Sequence, residues 1–290
     1  MILVWIPVPQ DASNSLSRYH SVADIRIMPQ YQLFLIALAL FFLCLERLWP
    51  RRPDQRLFRR RFLNDVGYLI FNSEYAGLIL GYVAATWIVS LNSWLPGGLA
   101  ASWPLWLQFL CLFLVVDFLK WCTHVLLHRV PWLWEFHKVH HSATEMDWLG
   151  NWRFHWMEIV FYNTMLYLPT LLLGVAGEIA LAVGVLDTAI GHFAHANLRW
   201  RIGWLRYVIN SPEMHIWHHA HPESGPVDRN FGLSLSVWDW LFGTAYVPAH
   251  DPGRIGFEGI EEYPDSIPGQ WMAPFRALFG QLYRRSSRSS

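Results

Sequence analysis

The stretch "FHKVHHSATE" (136–145) sets His137, His140 and His141 within five positions, and "EMHIWHHAHPE" (213–223) repeats the format with His215, His218 and His219. Two shorter groups accompany them: His124 and His128 in "HVLLH", and His192 and His195 in "HFAH". Neutral imidazole binds iron, copper, nickel and zinc alike, so ten such rings point to metal chemistry without choosing the metal. On a helix, residues four apart share a face, whereas neighbours diverge by about 100°. His140 and His141 therefore suit two adjacent ions better than one, and the same holds for His218 and His219. A closed structural zinc site takes about four ligands, commonly including cysteine. Here Cys44, Cys111 and Cys122 fall in separate apolar runs, with no Cys-x-x-Cys pair and no disulfide framework. The competing reading is a non-redox zinc carrier or sensor. A transport path would want ligands at mid-bilayer depth, and these sit at helix ends.

The elements that must carry these rings are apolar. Hydrophobic residues make up 53% of the chain against 15% charged, and there are 18 tryptophans, the residue that favours membrane–water interfaces. Formal net charge is zero, which argues against nucleic acid as a partner. Long apolar runs occur at 31–49, 66–91, 103–128 and 156–195. The last is too long for one crossing, and its Gly174–Gly177 stretch reads as a turn between two spans. The expectation is an all-α integral membrane protein with four to five transmembrane helices and a cytoplasmic, helical cap bearing the histidines. Six arginines in "RRPDQRLFRRRF" (51–62) mark the first loop as cytoplasmic. Counting spans onward, through an outer turn near Pro96–Gly98, brings every histidine group to that same face. Residues 1–30 read as a poorly ordered segment, 31–250 as one membrane-embedded domain and 251–290 as a cytoplasmic tail. No usable signal peptide precedes the first span, and Met28 stands there as an alternative start.

Several segments resemble the fatty acid hydroxylase/sterol desaturase superfamily of integral membrane di-iron enzymes, from about Arg61 to Val247. "DFLKWCTHVLLHRVPWLWEFHKVHHS" is similar to the first two histidine boxes of that family. "NWRFHWMEI" is similar to its Arg-x-His-x-x-Glu segment, with Trp156 where the family usually has proline. "HFAHANLRW" resembles a His-Ala-Asn element, and "SPEMHIWHHAHPESGPVDRNFGLSLSVWDWLFGTAY" the last box with its Asp-x-Asn-aromatic-Gly and Trp-Asp-x-x-Phe-Gly-Thr pieces. The resemblance implies that His124, His128, His137, His140, His141, His195, His215, His218 and His219 are metal ligands, with His192 a further candidate. It implies two iron ions (Fe2+/Fe3+), dioxygen as co-substrate, zinc as a substitute metal, and hydroxylation or desaturation of a lipid; the absence of an organelle retention signal favours a bacterial plasma membrane. With no haem-binding His-Pro-Gly-Gly segment, no Gly-x-Gly-x-x-Gly loop and no cysteine cluster, electrons must come from an external ferredoxin, cytochrome or reductase.

Ligating histidines need their second ring nitrogen held. Asp117, two turns before His124, is the best-placed carboxylate, with Glu213, Asp228 and Asp239 behind it. His155 is a candidate for orienting a ligating ring or for contacting substrate, and its neighbours Arg153 and Glu158 read as a buried pair. Trp152, Trp156, Trp238 and Trp240 read as interfacial anchors.

Overall fold

The computed structural model describes residues 27–72 and 98–286, with side chains over 33–72 and 98–280. The segment before residue 27, most of the expected second span and the turn at Pro96-Gly97 lie outside the described residues. The helices are α1 (Ile27–Leu48), α2 (Phe62–Ile70), α3 (Leu105–Arg129), α4 (Pro131–His141), α5 (Trp156–Leu173), α6 (Gly177–His195), α7 (Pro212–His218), α8 (Val237–Leu241) and α9 (Ile267–Ser286). Among the described residues there is no strand, only isolated bridges such as Ala220 with Ile255.

Among those residues, α3 and α6 are long and apolar enough to cross a bilayer. That is two helices, where composition suggests four to five spans. In α5, Glu158, Asn163 and Pro169 interrupt the apolar run. One face of α3 buries Leu112, Val116, Lys120 and His124, while Leu105, Trp106, Leu110 and Leu126 stand exposed on the rest. Exposed leucines at this density suit a hydrocarbon surrounding better than water.

The α3, α5 and α6 helices pack around Leu112, Phe113, Val116, Leu166, Ile179 and Val183. The α5–α6 turn forms as the glycines predict: Gly174 adopts φ 64°, a left-handed helix end that costs glycine little. It also lies against the backbone of Gly98, where a Cβ on Gly174 would come 2.6 Å from the Gly98 Cα. Between α3 and α4 the chain bends sharply. Val130 is extended, as a residue before proline tends to be, and Pro131 opens α4 at its first position. This bend turns the histidines of α4 back onto those of α3.

Residues 51–62 do more than carry positive charge. Arg59 forks onto Asp147 at 2.7 Å and also pairs with Asp65, which in turn accepts from Arg153 at 3.0 Å. Arg153 thus pairs with Asp65 and not with Glu158, because Glu158 turns to the histidines. Beyond residue 250 the chain forms α9, which closes on α2 and α4 through Tyr68 Oη donating to Gln270 at 2.7 Å and Phe136 packing on Phe275. A solvated tail would leave that apolar stripe uncovered.

Candidate metal centre

The fold gathers nine of the ten rings into two groups. His124, His128, His137, His141 and His218 form one, and His140, His195, His215 and His219 the other. Within each group the candidate ligand nitrogens all lie within 4.8 Å of one another. Helical spacing explains the sorting. His124 and His128 share a face of α3, His137 and His141 share a face of α4, and His215 and His219 fall one turn apart at α7. The adjacent pairs, His140–His141 and His218–His219, are each divided between the groups, as the angle between neighbouring helical residues requires.

Tautomers decide whether this is a hydrogen-bonded core or a cation site. A backbone carbonyl or carboxylate can only accept, so a ring nitrogen facing one must carry the proton. Nδ1 of His124 donates to the Phe231 carbonyl at 2.7 Å, and Nδ1 of His137 to Glu158 at 2.5 Å. Nδ1 of His140 donates to the Arg153 carbonyl at 3.2 Å, that of His195 to Gly191 at 2.9 Å and that of His218 to Arg229 at 2.9 Å. In these rings Nε2 is left as a bare lone pair. Yet Nε2 of His124 faces Nε2 of His137 at 3.1 Å, and Nε2 of His140 faces Nε2 of His195 at 3.3 Å. Two lone pairs at that distance repel unless a cation lies between them. Nitrogens bound at right angles to one ion at about 2.1 Å stand about 3.0 Å apart. The buried Nε2 atoms of His128, His141 and His218 have no hydrogen-bond partner either. The donor set fits two metal ions.

Burial, followed by repulsion from neighbouring rings, holds His137, His140, His141, His215, His218 and His219 well below the ordinary imidazole value of 6.5. All six are therefore neutral, and able to ligate, at neutral pH.

Of the carboxylates expected as outer partners, Asp228 meets a ring, whereas Asp117, Glu213 and Asp239 do not. A single loop serves three rings of the first group: Asp228 meets His128 Nδ1 at 3.2 Å, Arg229 offers its carbonyl to His218, and Phe231 offers its carbonyl to His124. Asp228 and Asn230 adopt left-handed backbone (φ 58° and 56°), a conformation that Asp and Asn tolerate better than most residues. Asn230 locks the loop, donating to the Met214 and Tyr246 carbonyls at 2.8 Å and accepting from Tyr246 N–H at 2.7 Å. Asp239 accepts from the Phe231 and Gly232 N–H groups at 2.8 and 2.7 Å.

Asp117 touches no histidine. It accepts from Ser234 N–H at 3.1 Å and Trp238 Nε1 at 2.7 Å, anchoring the 234–238 segment to α3. Glu213 accepts from Ile202 N–H at 3.2 Å, which also leaves it outside the centre. His192 is the ring left out of both groups. Its Nδ1 donates to the Thr188 carbonyl at 2.7 Å and its Nε2 accepts from Trp152 at 3.1 Å, leaving no lone pair for a metal. His155 caps α5: Nδ1 accepts from Met157 N–H, Nε2 donates to the Trp271 carbonyl at 3.1 Å, and its own N–H donates to Glu158. It positions Glu158, which holds His137, and does not face the rings itself. Burial pushes its imidazole down to about 4, so it stays neutral. Of the four tryptophans, Trp152 is buried beside His192 and Trp238 binds Asp117, whereas Trp156 and Trp240 keep the exposure an interfacial anchor needs.

A cavity runs beside both groups, and His124, His137, His140, His195 and His215 form part of its wall. Lys120, one turn before His124, enters it in an ion pair with Asp187 at 2.5 Å. Sequence reasoning passed over this lysine, although a cation inside an apolar run was the available signal.

Residues 109–244, which contain every ring of both groups, match the family model described as fatty acid hydroxylase. This stretch belongs to the fatty acid hydroxylase superfamily. The chain is similar to an ornithine lipid hydroxylase of Rhizobium tropici, at 30% identity over 64% of this chain and 54% of that protein. Similarity extends to an alkylglycerol monooxygenase of Xenopus tropicalis (27%, over 54% of this chain and 33% of that protein). A human cholesterol 25-hydroxylase matches at 30% over 48% of this chain and 52% of that protein. The matches thus span from about a third to about half of these relatives' lengths. No solved structure matches.

Proposed function

We propose that this hydroxylase-superfamily chain is a membrane-bound, dioxygen-dependent di-iron enzyme that hydroxylates a lipid. The observation that carries the reading is the pair of histidine groups with opposed lone pairs, opening on one buried cavity. His124, His128, His137, His141 and His218 would hold one ion, and His140, His195, His215 and His219 the other. When bound, a pair of iron ions supplies reductive activation of dioxygen and oxidation of an unactivated C–H bond, with electrons from an external ferredoxin, cytochrome or reductase. The protein supplies the rest. Neutral rings fixed by carbonyls and carboxylates are preset for the ions, so little reorganisation is needed on binding. The cavity wall of Phe154, Ile159 and Leu233 excludes water and accepts hydrocarbon.

Hydroxylation is favoured over desaturation because the relatives carry hydroxylase and monooxygenase names. A lipid substrate is favoured by those names together with the exposed apolar face of α3. The arginines of 51–62 support a cytoplasmic centre in a multi-pass topology of four to five spans. The test is metal analysis of the purified full chain, coupled to lipid mass spectrometry under oxygen and under nitrogen with a reducing system. Iron, an oxygen-dependent gain of one oxygen atom, and loss of both in His140→Ala are expected. Zinc alone, with no oxygen-dependent product after iron loading, would overturn the proposal in favour of a non-redox zinc protein.

A further inference from the structure

Two neighbouring residues of α5 carry polar side chains that the metal centre does not use. Tyr162 and Asn163 are 6% and 3% exposed, and neither Tyr162 Oη nor either polar atom of the Asn163 amide has a hydrogen-bond partner. Both line the cavity that touches the two histidine groups. A buried amide and a buried hydroxyl left unpaired on one wall are costly, and native interiors tolerate few of them. Three vacant groups belong to that lining: an acceptor and a donor on Asn163, and a hydroxyl on Tyr162 that can do either. Their complement is a group that donates and accepts.

Charge narrows that group. Lys120 donates to Asp187, whose other oxygen accepts from Ser234 Oγ at 2.6 Å, so the one ion pair in this wall neutralises itself. Apart from the ions at the histidines, a charged headgroup would find no countercharge in this wall, while a neutral polar group would find partners in Tyr162 and Asn163. Along α5, Asn163 lies five residues beyond Glu158, the partner of His137, or roughly 7 Å along the helix axis. His124, His137, His140, His195 and His215 wall the same cavity, so a ligand that meets the vacant groups also lies beside the histidines.

We propose that Tyr162 and Asn163 recognise a neutral donor–acceptor group in the body of the lipid, a secondary amide or a hydroxyl, held in the cavity beside the metal centre. This rests on the lipid hydroxylase reading, because it assigns the cavity to substrate. A site built to hydrogen-bond a substrate N–H or O–H discriminates strongly against the analogue that lacks it.

The test measures binding, without turnover, to the metal-loaded full chain in phosphatidylcholine nanodiscs. Two probe pairs of equal chain length separate the two sources: N-hexadecanoyl methylamide against methyl hexadecanoate, and hexadecanol against hexadecane. The wild type is expected to favour the hydrogen-bonding member of at least one pair by about tenfold. Tyr162→Phe with Asn163→Leu should bring that ratio below about twofold, with hexadecane affinity and metal content retained. If the double variant loses metal, Tyr162→Phe alone, which removes a single hydroxyl, should still lower the ratio by about threefold. A wild type without preference, or a preference that survives the substitutions, overturns the proposal. Oxygen insertion measured separately keeps the two readings apart. Oxygenation without probe preference refutes the recognition site alone, and probe preference without oxygenation refutes the hydroxylase.

Discussion

Asn230 touches no metal ligand, yet the loop it locks holds three of them, and it offers a sharp test of the centre. Replacing it with alanine removes three hydrogen bonds of 2.7–2.8 Å and puts a Cβ without compensating polarity at φ 56°. At about 1 kcal/mol per bond the hydrogen bonds amount to about 3 kcal/mol. The left-handed backbone adds about 1–2 kcal/mol for alanine and almost nothing for glycine. Asn230→Ala should therefore destabilise the loop by about 4–5 kcal/mol, and Asn230→Gly by about 3 kcal/mol. The consequence is local. Asp228, Arg229 and Phe231 serve His128, His218 and His124, all in the first group, and each lost outer partner weakens metal affinity by about 10–100-fold. In the second group His140 and His195 are held by Arg153 and Gly191, on other segments, and His215 meets Asn210, which is tied to the Gly232 and Leu233 carbonyls beyond the Asn230 turn. Metal analysis after a graded chelator wash should show Asn230→Ala falling from two ions towards one, with Asn230→Gly losing its ion at higher chelator. Simultaneous loss of both ions, or retention of both, would refute the assignment of this loop to a single group.

Further outcomes follow from the same contacts. His192→Ala should keep both metals and lose about 2 kcal/mol of stability from its bonds to Thr188 and Trp152, while His195→Ala should lose the second ion; matched metal analysis and thermal unfolding separate them. Glu158→Ala should weaken metal at the first group by about 10–100-fold, and Glu158→Gln, which can still accept from His137, by less, read by competition with a chromogenic chelator. Asp117→Asn should lower unfolding temperature with metal content unchanged, because its partners are Ser234, Leu235 and Trp238. On pH the sign is fixed by burial. The six buried rings stay neutral in the folded chain well below 6.5, whereas unfolded histidine takes up protons near that value. The rings' share of apo-protein stability should be complete above about pH 7 and fall as pH drops from 6.5 towards the depressed values, opposed in part by Glu158, whose carboxyl is held well above the usual range by burial, measured by denaturant titration. A stability maximum below pH 6 would contradict neutral, buried rings.

The sorting of the rings into two groups was readable because helical angles are nearly invariant. His140 and His141 diverge whatever surrounds them, so their assignment to different groups could be derived from spacing alone. The four-residue spacings of His124–His128 and of His137–His141 place each pair in one group for the same reason. Where the reading failed, the deciding quantity was the direction of a partner. His192 and His195 both donate to the carbonyl four residues earlier, and they differ only in what meets Nε2: Trp152 for one, the cluster for the other. Asp117 has the right charge on the right face of α3, but the 234–238 segment claims its oxygens from more than a hundred residues away. Glu158 was assigned to Arg153 by proximity in sequence, and Asp65 took the arginine instead. Four of the six groups that accept a ring N–H from these histidines are backbone carbonyls, those of Phe231, Arg153, Gly191 and Arg229. A carbonyl exists at every position, so its residue type says nothing. Only backbone conformation chooses which one points inward, and the nearest legible trace of that choice is Asp228-Arg229-Asn230, two residues that accept positive φ on either side of the arginine whose carbonyl is used.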